Sequence, residues 1–245
     1  MSEAPYFSII IPVLNEAARL PGLLSMFAGQ TFADFELIIV DAKSEDGSVH
    51  MLMGFTASFP LRVLSSEKRN AGFQRNLGAK SASANNLLFF DADTEITDDF
   101  LAAFKLQLEK YHPDFASTRF VASTRNIFDR ALAYFASVSM FVLARWNFPF
   151  MSASQLFFRR EAYDKMGGFD TSVLISDDHE LVQRAARLGF GGRLFFNPVH
   201  TFSFRRFERE GRLKVLAKYC KALCFMIVKG PIRTPIYEYK MGGKT

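Results

Sequence analysis

Asn86-Leu87-Leu88-Phe89-Phe90-Asp91-Ala92-Asp93-Thr94 runs a short apolar segment straight into two carboxylates one residue apart. An apolar run of this length with aromatics reads as a strand covered on both faces. Side chains two positions apart on an extended chain point the same way, so Asp91 and Asp93 converge at the strand's end. Paired hard oxygen donors suit Mg2+ or Mn2+, ions that keep several waters and hold a phosphate. The alternative is a surface turn, where aspartates are common.

Upstream, Phe7-Ser8-Ile9-Ile10-Ile11 is an apolar strand stopping at Pro12, and Asn15-Glu16 follow where a helix is capped. Leu20, Leu23, Leu24 and Phe27 recur at helical spacing. Glu36-Leu37-Ile38-Ile39-Val40 is a second buried strand ending on Asp41, with the turn-rich Ser44-Glu45-Asp46-Gly47-Ser48 behind it. Arg62-Val63-Leu64 is a third strand, and a small-residue helix lies between Asn70 and Ala84. Alternating strands and helices predict an α/β fold, a mostly parallel sheet flanked by helices. Ligands bind such sheets outside the carboxyl ends of the strands. Asn15, Glu16, Asp41, Asp91 and Asp93 all fall there.

Downstream, Thr97 is expected to cap a helix with Asp98 and Asp99 in its first turn and Leu101, Phe104 and Leu108 inside. Residues 115–122 read as a strand. Ile127 to Val142 is a very apolar helix, either core or, if exposed, a site for lipid or a partner. Ser176, Asp177, Asp178 and Glu180 open a helix carrying Leu181, Val182 and Ala185. One or two acidic groups suffice for capping, so the surplus points to chemistry.

At 245 residues and 49% hydrophobic, the chain buries a sizeable core. Cys220 and Cys224 build no disulfide framework and read as small buried hydrophobes, in keeping with a reducing, cytoplasmic setting. Glu3 stands where a signal peptide would be basic, which argues against export. The longest uncharged run, Ala131 to Ala144, has 14 residues, short of the roughly 20 that a spanning helix needs. Residues 205–245 hold 11 Lys and Arg against 3 Asp and Glu, so a net +8 sits in the tail of a chain whose total is +5.

The order of these motifs resembles family 2 of the nucleotide-diphosphate-sugar glycosyltransferases, with the GT-A fold. The matching pieces are Ile11-Pro12-Val13-Leu14-Asn15-Glu16, Val40-Asp41 with Asp46-Gly47-Ser48, and Asn70-Ala71-Gly72 with Arg75-Asn76-Leu77-Gly78. Phe90-Asp91-Ala92-Asp93-Thr94, Gly167-Gly168-Phe169-Asp170 and Asp177-Asp178-His179-Glu180-Leu181 extend the match. The resemblance implies a Rossmann-like sheet and a domain over 1–210, followed by a basic amphipathic extension over 211–245. It implies that Asp41 reads the base, that Pro12, Asn15 and Glu16 lie by the nucleoside, and that Arg75 lies near the nucleotide. Asp91 and Asp93 would hold Mn2+ or Mg2+ and the sugar diphosphate. The second member of the acidic pair is the family's usual base, here Asp178, although Asp-Asp stands where Glu-Asp is commoner, which leaves Asp177 open for the role. Ala42-Lys43-Ser44 departs from the family's Gly-Ser pair.

An inverting displacement needs one carboxylate to take the acceptor hydroxyl's proton while a metal stabilises the departing diphosphate. Arg205 and Arg206 read either as a bidentate grip on that diphosphate or as an exposed basic face. His200 is a candidate third metal ligand, with a structural role as the alternative. Leu213 to Gly230 reads as a basic amphipathic helix, lying on an anionic membrane surface or packed on the domain with its lysines in water.

The expected partners are therefore a nucleotide-diphosphate sugar donor and a glycan or lipid-linked acceptor, with no nucleic acid. A sugar nucleotidyltransferase is a competing reading, but the glycine-rich loop it needs is missing after the first strand. A non-catalytic nucleotide-sugar or lipid-binding module is a third, and the second acidic pair argues against it.

Overall fold

The computed structural model describes residues 4–145 and 149–237. In chain order the elements are β1 (Phe7–Val13), α1 (Leu20–Ala28), β2 (Phe35–Asp41), α2 (Ser48–Met53), β3 (Leu61–Ser65) and α3 (Ala71–Ser81). There follow β4 (Asn86–Phe90), β5 (Glu95–Ile96), α4 (Phe100–Tyr111), β6 (Phe115–Ala122), α5 (Ile127–Arg145) and β7 (Gln155–Arg159). The chain continues through α6 (Arg160–Met166), α7 (Asp177–Arg187), β8 (Gly192–Phe202), α8 (Arg205–Glu210) and α9 (Arg212–Lys229).

The strands form one sheet in the order β3-β2-β1-β4-β7-β6-β8-β5. The β3-β2-β1-β4 half is parallel throughout, as the alternation of strands and helices requires. Antiparallel pairing enters where β7 joins β4, and β6 then pairs in parallel with β8. Val13, Asp41 and Ser65 lie side by side in register, so the carboxyl ends of β1, β2 and β3 make one rim. Because β7 runs the other way, its first residue, Gln155, pairs with Phe90. The segment entering β7 therefore meets Asp91 at that same rim.

Residues on the central strands alternate between two fully buried layers. Ile9, Ile11, Leu37, Ile39, Leu88 and Phe90 pack on α1 and α4. Ile10, Ile38, Val40, Leu87 and Phe89 pack on α3, α6 and α7. Each such side chain contributes about 1.5–3 kcal/mol by leaving water. The continuous apolar runs in the sequence are thus the mark of a sheet covered on both sides.

Small residues set how close α3 lies. A methyl group added at Gly78 would sit 2.4 Å from Ile10 Cγ2, a stiff β-branched side chain on β1. Asn70 caps the same helix by accepting a hydrogen bond from the Phe73 amide at 2.8 Å.

Four expectations need correction. The α4 helix starts at Phe100, not behind Thr97: the Thr97 hydroxyl donates to Asp99 at 2.6 Å, and its carbonyl takes the Phe100 amide. The α1 helix starts at Leu20, with the Glu16 carbonyl accepting from the Arg19 and Leu20 amides. Cys220 and Cys224 are exposed thiols, because the outer face of α9 is not covered by the body of the protein. The default core reading of α5 holds only for one face, since Ile127, Phe128, Tyr134 and Phe135 are exposed.

Residues 212–237 pack on the body rather than trailing from it. Val215 joins Ala133, Phe204 and Phe207 in one buried cluster, and Ala222 joins Ile175 and Ile232 in another. Among the described residues, no helix is long and apolar enough to cross a membrane.

Candidate active site

Arg75 organises the rim. It projects from α3 and is 4% exposed. One end of its guanidinium donates to Asp91 Oδ1 at 2.7 Å and the other to Asp177 Oδ2 at 3.1 Å. Its carbon lies 5.2 Å from the centre of the Phe169 ring, and Nε, also buried, has no hydrogen-bond partner. Burial works against the charge, but the carboxylates of Asp177 and Asp91 more than offset it, so the pKa is raised further. Gly72 allows this approach: a methyl group there would lie 3.1 Å from Asp177 Oδ2. The two acidic motifs of the sequence thereby share one cleft.

The carboxylates are crowded for lack of enough positive charge. Burial pushes Asp177 up to about 6, against the pull of Arg75 and with the push of Asp178 and Asp91. Burial raises Asp91 as well, opposed by Arg75 and reinforced by Asp93 and Asp178. Glu16 is raised chiefly by burial and feels Arg205 and Asp93, which puts it on the same rim. A site whose burial and mutual repulsion raise the pKa of its acids is one a cation would relieve.

Asp93 Oδ2 accepts from Arg205 at 3.0 Å. The hydrogen bonds at this pair engage Asp91 Oδ1 and Asp93 Oδ2, leaving the second oxygen of each carboxylate available. That donor set fits Mn2+ or Mg2+ completed by phosphate oxygens and water. Among the described residues, no cluster of three or more metal-ligating side chains exists, so the donor would have to supply the rest. Of the arginine pair, Arg205 meets the acidic motif, while Arg206 adds positive potential beside Glu210 at the α8–α9 junction.

His200 is not placed as a metal ligand, and the physical reason is plain. It is 1% exposed, with Nδ1 2.8 Å from the Thr118 hydroxyl and Nε2 3.0 Å from the Ser154 hydroxyl. Burial lowers its pKa to about 3, so it is neutral, and both nitrogens are engaged. Its partner Ser154 leads to something the motifs did not disclose. The Ser154 carbonyl accepts from Thr94 at 2.8 Å, and the neighbouring Ala153 amide donates to Asp178 Oδ2 at 2.8 Å. The other Asp178 oxygen accepts from the His179 amide at 2.8 Å. A backbone amide has no residue type, so no sequence signal could have named Ala153.

The far end of the rim carries the remaining predicted residues. Pro12 lies beside Val40 where β1 and β2 end. Asp41 is 2% exposed, with its oxygens taken by the Ser44 amide and hydroxyl, so its carboxylate holds the β2–α2 loop. Ser44 in turn accepts from the Asn15 amide at 2.8 Å, and the Asn15 side chain accepts from the Glu45 amide at 2.8 Å. Asn15 and Lys43 hold φ of 55° and 58°, the left-handed region that a tight loop needs and that asparagine tolerates better than lysine.

Comparison with known proteins agrees with this geometry. Residues 8–167 match the model of glycosyl transferase family 2, which is more than half of the chain. The chain is 28% identical over 223 residues to a "PGL/p-HBAD biosynthesis glycosyltransferase" of Mycobacterium bovis, covering 76% of this chain and 87% of that one. A shorter segment, 39% of this chain and 25% of the relative, is 38% identical to the Bacillus subtilis "uncharacterized glycosyltransferase YfnE".

Among solved structures, S. aureus TarS in complex with UDP superposes with a TM-score of 0.67 at 19% identity, covering 80% of this chain. This chain spans only 60% of that one. The mannosyltransferase PcManGT of Pyrobaculum calidifontis, in complex with GDP-Man and Mn2+, gives 0.68 at 20% identity, covering 90% of this chain and 65% of the other. At such identities the likeness speaks for the fold. With the family model spanning both the Asp91–Asp93 pair and the Arg75 helix, the chain belongs to glycosyl transferase family 2.

Proposed function

We propose that the protein transfers a sugar, with inversion, from a nucleoside diphosphate sugar to an acceptor hydroxyl or lipid phosphate. The observation that carries this reading is the Arg75 bridge between Asp91 and Asp177, which joins the two acidic motifs and supports reading the first as the phosphate side and the second as the base side. Asn15, Glu16 and Asp41 form the nucleoside end, and Arg205 stands over Asp93 at the diphosphate end. Mn2+ or Mg2+ held by Asp91 and Asp93 would supply charge compensation for the departing diphosphate.

Asp178 is the general base. It takes the proton of the acceptor hydroxyl as that oxygen bonds to the anomeric carbon. The bond from that carbon to the phosphate oxygen breaks, and its electron pair leaves with the diphosphate. The Ala153 and His179 amides hold both Asp178 oxygens, which fixes the carboxylate's orientation before the acceptor arrives. Asp177, occupied with Arg75, is the weaker candidate for that role. Arg205, paired with Asp93, is the residue that would turn to the diphosphate if Asp93 held a cation.

The acceptor is glycan or lipid-linked, and the setting is cytoplasmic and close to a membrane surface. The cationic tail supports this reading.

Incubation with Mn2+ and a panel of nucleotide sugars, followed by assay of released nucleoside diphosphate, tests the proposal. The panel starts with uridine and guanosine donors, because those nucleotides occupy proteins of like fold. Diphosphate release that depends on Asp178 is the expected result. Pyrophosphate formation, or binding without turnover across the panel, would overturn it.

A further inference from the structure

The α9 helix wears its apolar side outward. At 3.6 residues per turn, Leu213, Ala217, Cys220, Cys224 and Ile227 fall on one stripe, and every one of them is exposed. Leu213 and Ile227 are 84% and 63% exposed. The face that meets the body is the opposite one, through Val215 and Ala222. Lys214, Lys218 and Lys221 recur along one flank of the stripe. A helix merely packed on a domain would turn its lysines outward and its leucines in; this one is apolar on both sides, with its cations between.

A second helix adds to the surface. In the first turns of α5, Ile127 and Phe128 are 74% and 77% exposed, and Phe135 follows at 68%. Asp129 joins the two helices by accepting from Arg212 at 2.7 and 2.8 Å, so Phe128 and Leu213 flank one ion pair. Asp129 is 1% exposed and is the sole carboxylate in either helix. From α8, Glu210 pairs with Lys218 at 2.5 Å and exposed Glu208 acts on Arg212, so the cationic charge of this surface rests on the exposed Lys214 and Lys221.

We infer that the outward stripe of α9 and the first turns of α5 form one docking face for an anionic lipid bilayer, lying in the interface rather than spanning it. Exposed aromatics and aliphatics edged by lysine, on helices whose one carboxylate is buried, are what a headgroup boundary takes up. A second copy of the chain fits worse, since a two-fold contact would set lysine flank against lysine flank. The face also begins close to the proposed chemistry: six residues separate Arg205, at Asp93, from Arg212, at Asp129. This deepens the membrane-proximal acceptor proposed above, while standing apart from the transfer chemistry itself.

The test uses the full chain, sedimented with vesicles of phosphatidylcholine alone and of phosphatidylcholine mixed with phosphatidylglycerol. Binding to the mixed vesicles that weakens steeply with salt is expected. The double variant Phe128→Ser, Leu213→Ser should bind at least about tenfold more weakly while releasing nucleoside diphosphate from donor at the wild-type rate, which shows that it is folded. Absence of binding to anionic vesicles would overturn the inference, as would equal binding to neutral ones or unchanged binding by the variant. A wild-type dimer in solution that the variant breaks, with no vesicle binding, would assign the face to a second copy. Vesicle binding without donor turnover would instead defeat the transfer reading and leave this one intact.

Discussion

Arg75 and Asp177, 102 residues apart in the chain, meet at 3.1 Å, and the opposite end of the same guanidinium holds Asp91 at 2.7 Å. One buried cation therefore ties α3, the end of β4 and the start of α7 together. Removing it would leave buried carboxylates facing each other without a counterion. Arg75→Ala should cost about 3–5 kcal/mol of stability at neutral pH, the usual penalty for breaking one side of a buried pair. Arg75→Lys keeps the charge but loses the fork, and should recover only part of it. Urea unfolding measures both, and a loss in Arg75→Ala below about 1 kcal/mol, typical of a surface ion pair, would contradict the bridge.

Asp177 makes the same cluster respond to pH. Its folded pKa, pushed up to about 6 by burial, lies above the ordinary carboxylate value. Between about pH 4, the unfolded value, and pH 6 the folded protein binds more protons than the unfolded chain, so stability falls as pH rises through that window. Asp177→Asn should flatten that slope and add stability at pH 7 on the order of 2 kcal/mol. Thermal melts from pH 4 to 7 decide the point. A wild-type slope of the opposite sign would show that another group governs the cluster. In turnover the two neighbours should part: Asp178→Asn is expected to lose about 10²–10⁴-fold in kcat, the range of a general base, while Asp177→Asn keeps most of it.

The half-free carboxylates of Asp91 and Asp93 carry the metal expectation. Titration calorimetry with Mn2+ in the presence of a nucleoside diphosphate should show saturable binding that Asp91→Asn and Asp93→Asn each weaken by about tenfold or more, the effect of losing a hard donor. Chelation should stop nucleoside diphosphate release, and added Mn2+ should restore it. Arg205→Ala is expected to raise the donor KM without weakening Mn2+ binding, since it removes a competing cation from Asp93 and no oxygen donor.

Some of this was legible in the residues and some was not, for physical reasons. Phe89-Phe90-Asp91 announced both a doubly covered strand and a rim, because burial on two faces and a polar strand end leave their marks in residue type. The stretch from Asn70 to Ala84 reads as a small-residue helix, and Gly78 shows why small residues stand there, since a methyl group added to it would lie 2.4 Å from Ile10 Cγ2. The outward stripe of α9 was beyond reach. Amphipathicity reveals that a helix has two faces but not which one the body covers, so Cys220 and Cys224 read as buried in the sequence and are exposed in the structure. His200 stays open between two roles in the sequence for a similar reason: an imidazole after a strand looks the same whether its nitrogens meet a metal or, as in the structure, two hydroxyls.

On the proposed reading, His200 bears on the reaction through other groups. Its Nε2 holds the Ser154 hydroxyl at 3.0 Å, Thr94 holds the Ser154 carbonyl at 2.8 Å, and the adjoining Ala153 amide holds Asp178 at 2.8 Å. The loop thus registers the base against the residue that follows the metal pair. His200→Ala and Ser154→Ala should each lower kcat by about tenfold or more, the cost of loosening a positioned group, with donor KM and Mn2+ affinity unchanged. A true ligand would lose metal affinity. Each should also be non-additive with Asp178→Asn, because a base already removed cannot be misplaced. Restoration of kcat by Ser154→Thr, which keeps the hydroxyl, would complete the assignment. Additive losses in the double variants, or a fall in Mn2+ affinity, would return His200 to a general structural role or to the metal.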